Sequence, residues 1–132
     1  MKTNIIFLFL IVSIGFTSCQ QDTSHTKKGM VKVTILYPNS DGKTFDMDYY
    51  SNKHMPMVAS LLGESLKHVA IDQGIAGGRP DAPIPYLAIG YLYFDSLEAY
   101  QEVFGPNAEK IIGDIPNYTN SQPVVQISEI YQ

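Results

Sequence analysis

The chain has 132 residues, with 9 Lys and Arg side chains against 13 Asp and Glu, which gives a formal net charge of −4. This length is enough for one domain of modest size. The chain has no basic run, and its acidic balance argues against nucleic acid as a partner.

The N-terminal segment has the layout of a secretory signal peptide. A lysine near the start is followed by an apolar run over 5–16 and by two small residues just before Cys19. The apolar run is too short to span a bilayer in the mature protein. We therefore expect a signal peptide at 1–18, a flexible polar tether at 19–29 and a single folded domain at 30–132.

The chain contains 1 cysteine, Cys19, so an intramolecular disulfide is impossible. The stretch "FTSC" that ends at this residue resembles the lipobox of bacterial lipoproteins, in which the cysteine becomes the lipid-modified first residue. The resemblance implies lipidation of Cys19 and a membrane anchor of acyl chains. The protein is then expected to be exported and held at a bacterial membrane, facing the periplasm or the cell surface. An ordinary signal peptide followed by an unpaired thiol is the alternative.

The folded part opens with a predicted strand and helix. The stretch "VKVTILYP" at 31–38 is rich in β-branched residues and ends at a proline, which predicts a strand. Asp46 can cap a helix that Gly63 closes. Pro56 lies inside this helix, where it removes one backbone hydrogen bond and disfavours helical angles at Met55. We therefore expect the helix to break at this point.

The remaining elements complete a repeated pattern. A strand is predicted at 65–75, a loop dense in Gly and Pro at 76–85, and a strand at 86–95. Ser96 can cap a second helix that runs to about Ile112, and a final strand follows a long connection. The order β-α-β-β-α-β predicts an α+β protein of the ferredoxin-like arrangement, with a four-stranded antiparallel sheet.

The strand "YLAIGYLYF" predicts a homodimer because both of its alternating faces are apolar. Two helices can cover only one face of a four-stranded antiparallel sheet, and the other face is normally wet and polar. The sheet of a second copy, related by a two-fold axis, would cover the second apolar face.

Several segments are specific enough to suggest a family. They are "MVKVTILYPN", "FDMDYYSNKHMPMV", "GIAGG", "YLYFDSLEAYQEVF" and "GDIPNYTNSQPVVQISEI". Together they resemble the EthD family of dimeric α+β-barrel proteins over nearly all of residues 30–132. The resemblance implies the same dimeric barrel. The family name favours an oxidoreductase, whereas related families on this fold include cyclases and isomerases, so the reaction stays open.

His54 and Tyr50 are the candidate catalytic residues. They lie four residues apart and project from one face of the first helix, which on the fold of this family overlies the sheet with a cavity between. A histidine there can act as a general acid or base near neutral pH. Burial is expected to lower the pKa of His54, with Tyr50 as its nearest polar neighbour. Tyr50 would steady an oxyanion or the imidazole.

Five further residues are candidates for substrate binding. Tyr37, Tyr86 and Tyr118 are expected to line the same cavity, and packing is the alternative role for each. Asp114 and Asn117 belong to the stretch "GDIPNY", which would close one mouth of the cavity. A turn held by bonds from their side chains to the backbone is the alternative.

The sequence carries no motif for a common cofactor or metal. It has no Gly-x-Gly-x-x-Gly after the first strand, no cysteine pair or His-x-x-x-His, and no Gly-x-Ser-x-Gly. We therefore expect an enzyme with no tightly bound cofactor and no metal, which acts on a small apolar or aromatic molecule bearing oxygen. The alternative is a lipid-anchored protein that binds a hydrophobic ligand without catalysis, in which His54 is structural.

Overall fold

A computed structural model of the protein describes residues 26–132, so Cys19, the predicted signal peptide and most of the predicted tether lie outside it. The elements in chain order are β1 (Val31–Pro38), α1 (Met47–Tyr49), a π-helix (Tyr50–His54), α2 (Met55–Leu62), β2 (His68–Gln73), β3 (Tyr86–Phe94), α3 (Leu97–Phe104), α4 (Ala108–Gly113) and β4 (Val124–Glu129). Short 3₁₀ turns follow α2, α3 and α4. In this part of the chain, no helix is both long and apolar enough to cross a membrane.

The four strands form one sheet in the order β2-β3-β1-β4, and every pairing is antiparallel. This is the ferredoxin-like topology, so the predicted α+β fold class is confirmed. Alternate residues of β1 and β3, such as Val33 and Leu92, are buried on the face that the helices cover. Strand β2 begins at His68, later than predicted, because a 3₁₀ turn over Gly63–Ser65 follows the first helical segment.

Pro56 does not break the first helix, so that prediction is wrong. Met55 keeps helical angles, with φ −65° and ψ −37°. The preceding five residues form a π-helix, and the N–H of Met55 donates to the carbonyl of Tyr50, five residues back. Pro56 then falls in the first turn of α2, where a helix does not need the missing N–H. The wider π turn resets the hydrogen-bond register and so absorbs the proline.

The second predicted helix is divided in two. Ser96 caps α3 as predicted, because its Oγ accepts a hydrogen bond from the N–H of Ala99 at 3.1 Å. The α-helix then gives way to a 3₁₀ turn over Gly105–Asn107 before α4 begins. Pro106 accounts for the change, since it has no N–H to donate and opens the next turn instead.

The sheet face away from the helices carries apolar and aromatic side chains next to polar ones such as Lys32, Thr34 and Asp72. By strand register, the two central strands place Leu36, Ile89, Tyr91 and Tyr93 on it, and all four side chains are half-buried in one chain. A face of this composition on a sheet of this size favours a protein partner. The predicted homodimer would use this face, and it stays a prediction.

Candidate functional site

A cavity of about 360 Å³ lies between the helices and the sheet. Its wall is mostly aliphatic and aromatic, and its buried polar or ionisable side chains are Tyr37, Tyr50, His54 and Tyr100. The exposed side chains Gln122 and Val125 mark the end that opens to solvent. A mostly apolar cavity with a few converging polar groups is the usual form of a small-molecule site.

The π-helix directs Tyr50 and His54 into the protein. Tyr50 is 1% exposed and His54 is 4% exposed, whereas Asn52 and Lys53 between them face solvent. The two buried rings stack with centroids 5.5 Å apart and an interplanar angle of 16°. Both predicted catalytic residues therefore reach the cavity wall together.

Asp114 is the hydrogen-bond partner of His54 on the side away from the cavity. Its Oδ2 lies 2.8 Å from the Nδ1 of His54, and its Oδ1 accepts from the Tyr49 hydroxyl and the Asn117 amide, each at 2.9 Å. Partial burial of the carboxyl acts to raise the pKa of Asp114, but the bonds from His54, Asn117 and Tyr49 hold it below the ordinary value. The carboxylate is therefore ionised at neutral pH.

The imidazole of His54 is neutral in this setting. Burial lowers the pKa of His54 below its ordinary value, and the nearby Asp114 carboxylate only partly opposes this effect. The direction agrees with the shift that the sequence predicted. Because Asp114 can only accept, the ring proton belongs on Nδ1, which leaves Nε2 as a hydrogen-bond acceptor and a base.

Two tyrosine hydroxyls follow from Nε2: that of Tyr118, which is not among the residues that line the cavity, and that of Tyr37, which is. The Tyr118 hydroxyl lies 3.3 Å from Nε2, and the Tyr37 hydroxyl lies 2.7 Å from that of Tyr118. The ring of Tyr50 packs edge-on against the ring of Tyr37, with centroids 5.6 Å apart. Burial raises the pKa of Tyr37, Tyr50 and Tyr118 well above the ordinary value, so all three phenols stay protonated.

Tyr50 does not have the predicted place beside His54. The hydrogen-bonding partners of the imidazole are Asp114 and Tyr118, while Tyr50 meets it through ring stacking. The Tyr50 hydroxyl instead reaches over the sheet and lies against the backbone of Gly90, in space that a Cβ would fill.

The other predicted residues fall into two groups. Asp114 and Tyr118 join the hydrogen-bonded network around His54, and Asn117 supports it through Asp114. Tyr86 pairs with Pro38 at one end of the sheet and is not among the residues that line the cavity. Its position therefore gives no support to a role in binding there.

Sequence reasoning missed Tyr49 as a member of the network. It lies 65 positions before its partner Asp114, so no local spacing rule connects them. Its position next to Tyr50 in the "YYSNKHMP" stretch was the only signal available. Tyr49 holds Asp114 in place and so acts on His54 indirectly.

The arrangement as a whole is suited to moving protons. An ionised carboxylate orients a neutral imidazole, and neutral phenols connect that imidazole to an apolar cavity. Within residues 26–132, no three His, Cys, Asp or Glu side chains come together in a group that could hold a metal ion.

Comparison with known proteins adds a family relationship. A sequence profile of the EthD domain matches residues 41–122, which include His54 and Asp114. The chain is 33% identical over 95 residues to the uncharacterized 11.0 kDa protein in the thcB-thcC intergenic region of Rhodococcus erythropolis, a match that covers 69% of this chain and 85% of that protein.

Two solved structures extend the comparison. An EthD-like protein from Ralstonia eutropha is 39% identical with a TM-score of 0.73, covering 78% of this chain and 93% of its own. An ethyl tert-butyl ether D (EthD) family protein from Bacillus halodurans is 21% identical with a TM-score of 0.51, covering 76% of this chain and 97% of its own. At that lower identity, the second structure shows a shared fold alone.

Proposed function

The chain belongs to the EthD domain family, and from this premise we propose that it is a small enzyme in which His54 serves as a general base and acid. Its substrate is a small, largely apolar molecule that carries oxygen, and the reaction uses no tightly bound cofactor. The single observation that carries this proposal is the 2.8 Å bond between Nδ1 of His54 and Asp114. This bond leaves Nε2 free of a proton beside an apolar cavity.

The proposed step is a proton transfer to His54. The imidazole is neutral before the step and becomes an imidazolium afterwards, and the Asp114 carboxylate stabilises the new charge. The apolar wall limits solvent around the reacting groups, which strengthens their electrostatic interaction. Isomerases, lyases, cyclases and cofactor-free oxidoreductases all use such a step, and the proposal commits to the step rather than to one of these classes.

The competing function is ligand binding without catalysis. The test follows deuterium exchange at the α-carbon of α-hydroxyacetophenone in heavy water by NMR, with the full-length chain and a buffer blank. An enzyme of the proposed kind exchanges this proton faster than buffer alone. A protein that only binds the ketone leaves the exchange rate at the buffer value, which would contradict the proposal.

The pH dependence of the exchange rate is a further prediction. Because the pKa of His54 lies below its unperturbed value of about 6.5, the imidazole loses its proton before the pH reaches that value. The blank-corrected rate is therefore expected to rise on the acid side of 6.5 and to be level above it. A rate that is still rising between about pH 7 and pH 9 would indicate a different base.

We also propose a homodimer through the sheet face that carries Leu36, Ile89 and Tyr91. The apolar and aromatic side chains of β3 on this face, with Leu36 beside them, support it. A standard interface would bury about 1,600 Å² in total. Ile89→Lys is expected to give a monomer by light scattering at micromolar concentration, because it places a charge in the middle of this face. Glu98→Lys, on the exposed side of α3, is the control and should stay dimeric. An Ile89→Lys variant with unchanged mass would argue against this interface.

For the N-terminus, we propose that Cys19 is lipidated and that the mature protein is anchored at a bacterial membrane, facing the periplasm or the cell surface. The apolar run and the small residues before the cysteine support this proposal. Cys19→Ser is expected to leave either a soluble or an uncleaved chain on membrane fractionation. Recovery of a mature-length Ser variant with the membranes would refute it.

A further inference from the structure

Tyr100 is a buried polar side chain of the cavity wall that takes no part in the network around His54. It lies on α3 and is 9% exposed. Its ring packs against Phe104, one helical turn later, and against Phe94 of β3, with centroids 5.1 Å and 5.2 Å away. These ring contacts hold the side chain in place, so its position is set by packing and not by a hydrogen bond.

The hydroxyl of Tyr100 has no hydrogen-bond partner among residues 26–132. In this part of the chain, every fully enclosed side-chain oxygen or nitrogen has such a partner. The Tyr100 oxygen is therefore not fully enclosed, and the cavity is the open space that its side chain lines. Burial raises the pKa of the phenol, so the hydroxyl keeps its proton at neutral pH and can donate it.

Tyr100 and His54 lie toward different ends of the cavity. Tyr100 packs on Phe94 of β3. The Tyr50 ring, which stacks on His54, carries its hydroxyl to Gly90 of the same strand. Phe94 and Gly90 are four positions apart in β3, which is about 13 Å along a strand. A ligand that contacts both ends therefore presents one group to the imidazole and a different group to the Tyr100 hydroxyl.

From this placement we infer that Tyr100 is a ligand-binding residue, whose hydroxyl donates a hydrogen bond to an oxygen of the ligand remote from the group that reacts at His54. The inference rests on the proposed function for the reacting end, while the contact itself can be tested by binding alone. It adds a second feature to the substrate class. The substrate is a small apolar molecule with oxygen at two places, one of which, a carbonyl, ether or hydroxyl oxygen, serves for binding.

The test uses two derivatives of α-hydroxyacetophenone that differ in one oxygen. One carries a methoxy group at the para position of the ring, remote from the α-carbon, and the other carries an ethyl group of almost the same size. Dissociation constants for the full-length chain are measured by calorimetry at a pH near 7.5. The ethyl group has its own advantage in an apolar cavity, so the deciding quantity is how the ratio of the two constants changes in a variant. No binding of either compound to the wild type would overturn the inference.

Tyr100→Phe removes only the hydroxyl and keeps the packed ring. Binding of the methoxy compound relative to the ethyl compound is expected to weaken about fivefold, the usual net gain from one hydrogen bond, because only the methoxy oxygen loses a donor. Tyr131→Phe, the same change in a side chain that is 79% exposed, is the control and should keep the wild-type ratio. A wild-type ratio in Tyr100→Phe would overturn the inference.

The stability of Tyr100→Phe is a second measurement. Since the hydroxyl has no partner within residues 26–132, its removal should leave unfolding in denaturant, followed by circular dichroism, at the wild-type midpoint. A clear loss of stability would show that the hydroxyl is bonded within the protein, and would likewise overturn the inference.

Exchange kinetics with the methoxy compound separate binding from chemistry. Tyr100→Phe should raise KM about fivefold and leave kcat within about twofold, because a contact remote from the α-carbon is the same in the ground state and the transition state. A fall in kcat with KM unchanged would place Tyr100 at the reacting end and overturn the inference.

The two proposals can fail separately. A protein whose ligand ratio falls in Tyr100→Phe but that does not speed deuterium exchange is a selective binder, and only the proposed catalysis falls. A protein that speeds the exchange but has the same ligand ratio in Tyr100→Phe and wild type keeps its catalytic base, and Tyr100 loses its role in binding.

Discussion

Replacement of His54 by Gln is expected to return the deuterium exchange of α-hydroxyacetophenone to the buffer rate. Loss of a positioned general base typically reduces a rate by about 10²- to 10⁴-fold. Glutamine is similar in length and polar, so it should fill the buried position, but it has no site that accepts a proton near neutral pH. The dissociation constant of the ketone is therefore expected to change little while turnover is lost.

The measurement is the blank-corrected exchange rate beside the dissociation constant from calorimetry, for wild type and variant. His25→Gln makes the same chemical change in the predicted tether and should exchange at the wild-type rate. A His54→Gln variant that keeps wild-type exchange would show that another group is the base. A variant that loses affinity and rate in proportion would show that His54 shapes the cavity and is not the base.

Replacement of Gly90 by Ala is expected to lower the free energy of unfolding by about 1–3 kcal/mol, the usual cost of an added group in a packed core. A Cβ at this position would overlap the hydroxyl of Tyr50. The backbone cannot retreat, because Gly90 lies in a central strand and pairs with Ile35 on one side and Ile71 on the other. Tyr50, at 1% exposure, has equally little room to move.

Tyr50→Phe in the Gly90→Ala background tests whether the Tyr50 hydroxyl is the cause of the destabilisation. It removes the overlapping oxygen, and the next nearest atom of the ring would be 3.5 Å from the new Cβ, an ordinary contact distance. The two changes should therefore destabilise the protein less together than the sum of their separate effects in a double-mutant cycle. Unfolding in denaturant, followed by circular dichroism, gives the free energies.

Gly78→Ala is the matched control for Gly90→Ala, because a Cβ at Gly78 would meet nothing within 4 Å. It should leave the free energy of unfolding almost unchanged. Strict additivity of Gly90→Ala and Tyr50→Phe, or a Gly90→Ala variant as stable as wild type, would show that the Tyr50 hydroxyl is not held against the sheet at this glycine.

Short-range patterns in the sequence were enough to predict the fold class. Strands are recognised by the alternation of side chains between two faces and by β-branched residues. Helix starts are recognised by capping residues such as Asp46 and Ser96, each of which accepts a hydrogen bond from the N–H three positions later. The apolar character of both faces of β3 was likewise visible from alternation alone. The spacing of four placed His54 and Tyr50 on one helix face, and the resemblance of their stretch to the EthD family singled them out as catalytic candidates.

Pro56 shows where local rules were insufficient. A proline inside a helix pattern predicts a break, but the packed helix accommodates it by widening one turn into a π-helix. The choice between a break and a wider turn depends on whether Tyr50 and His54 gain by burial against the sheet. That gain belongs to the tertiary structure and has no signature in the neighbouring residues.

The network around His54 was decided by tertiary structure alone. His54 and Asp114 are 60 positions apart, and Tyr37 and Tyr118 are 81 apart, so only the closure of β1, the helices and the loop before β4 brings them together. The sequence could name most of these residues as candidates, but it assigned Tyr50 the place beside His54 that Asp114 and Tyr118 occupy. Hydrogen bonds of a few ångströms between distant positions depend on how whole elements pack, and packing is a property of the folded chain rather than of any segment of it.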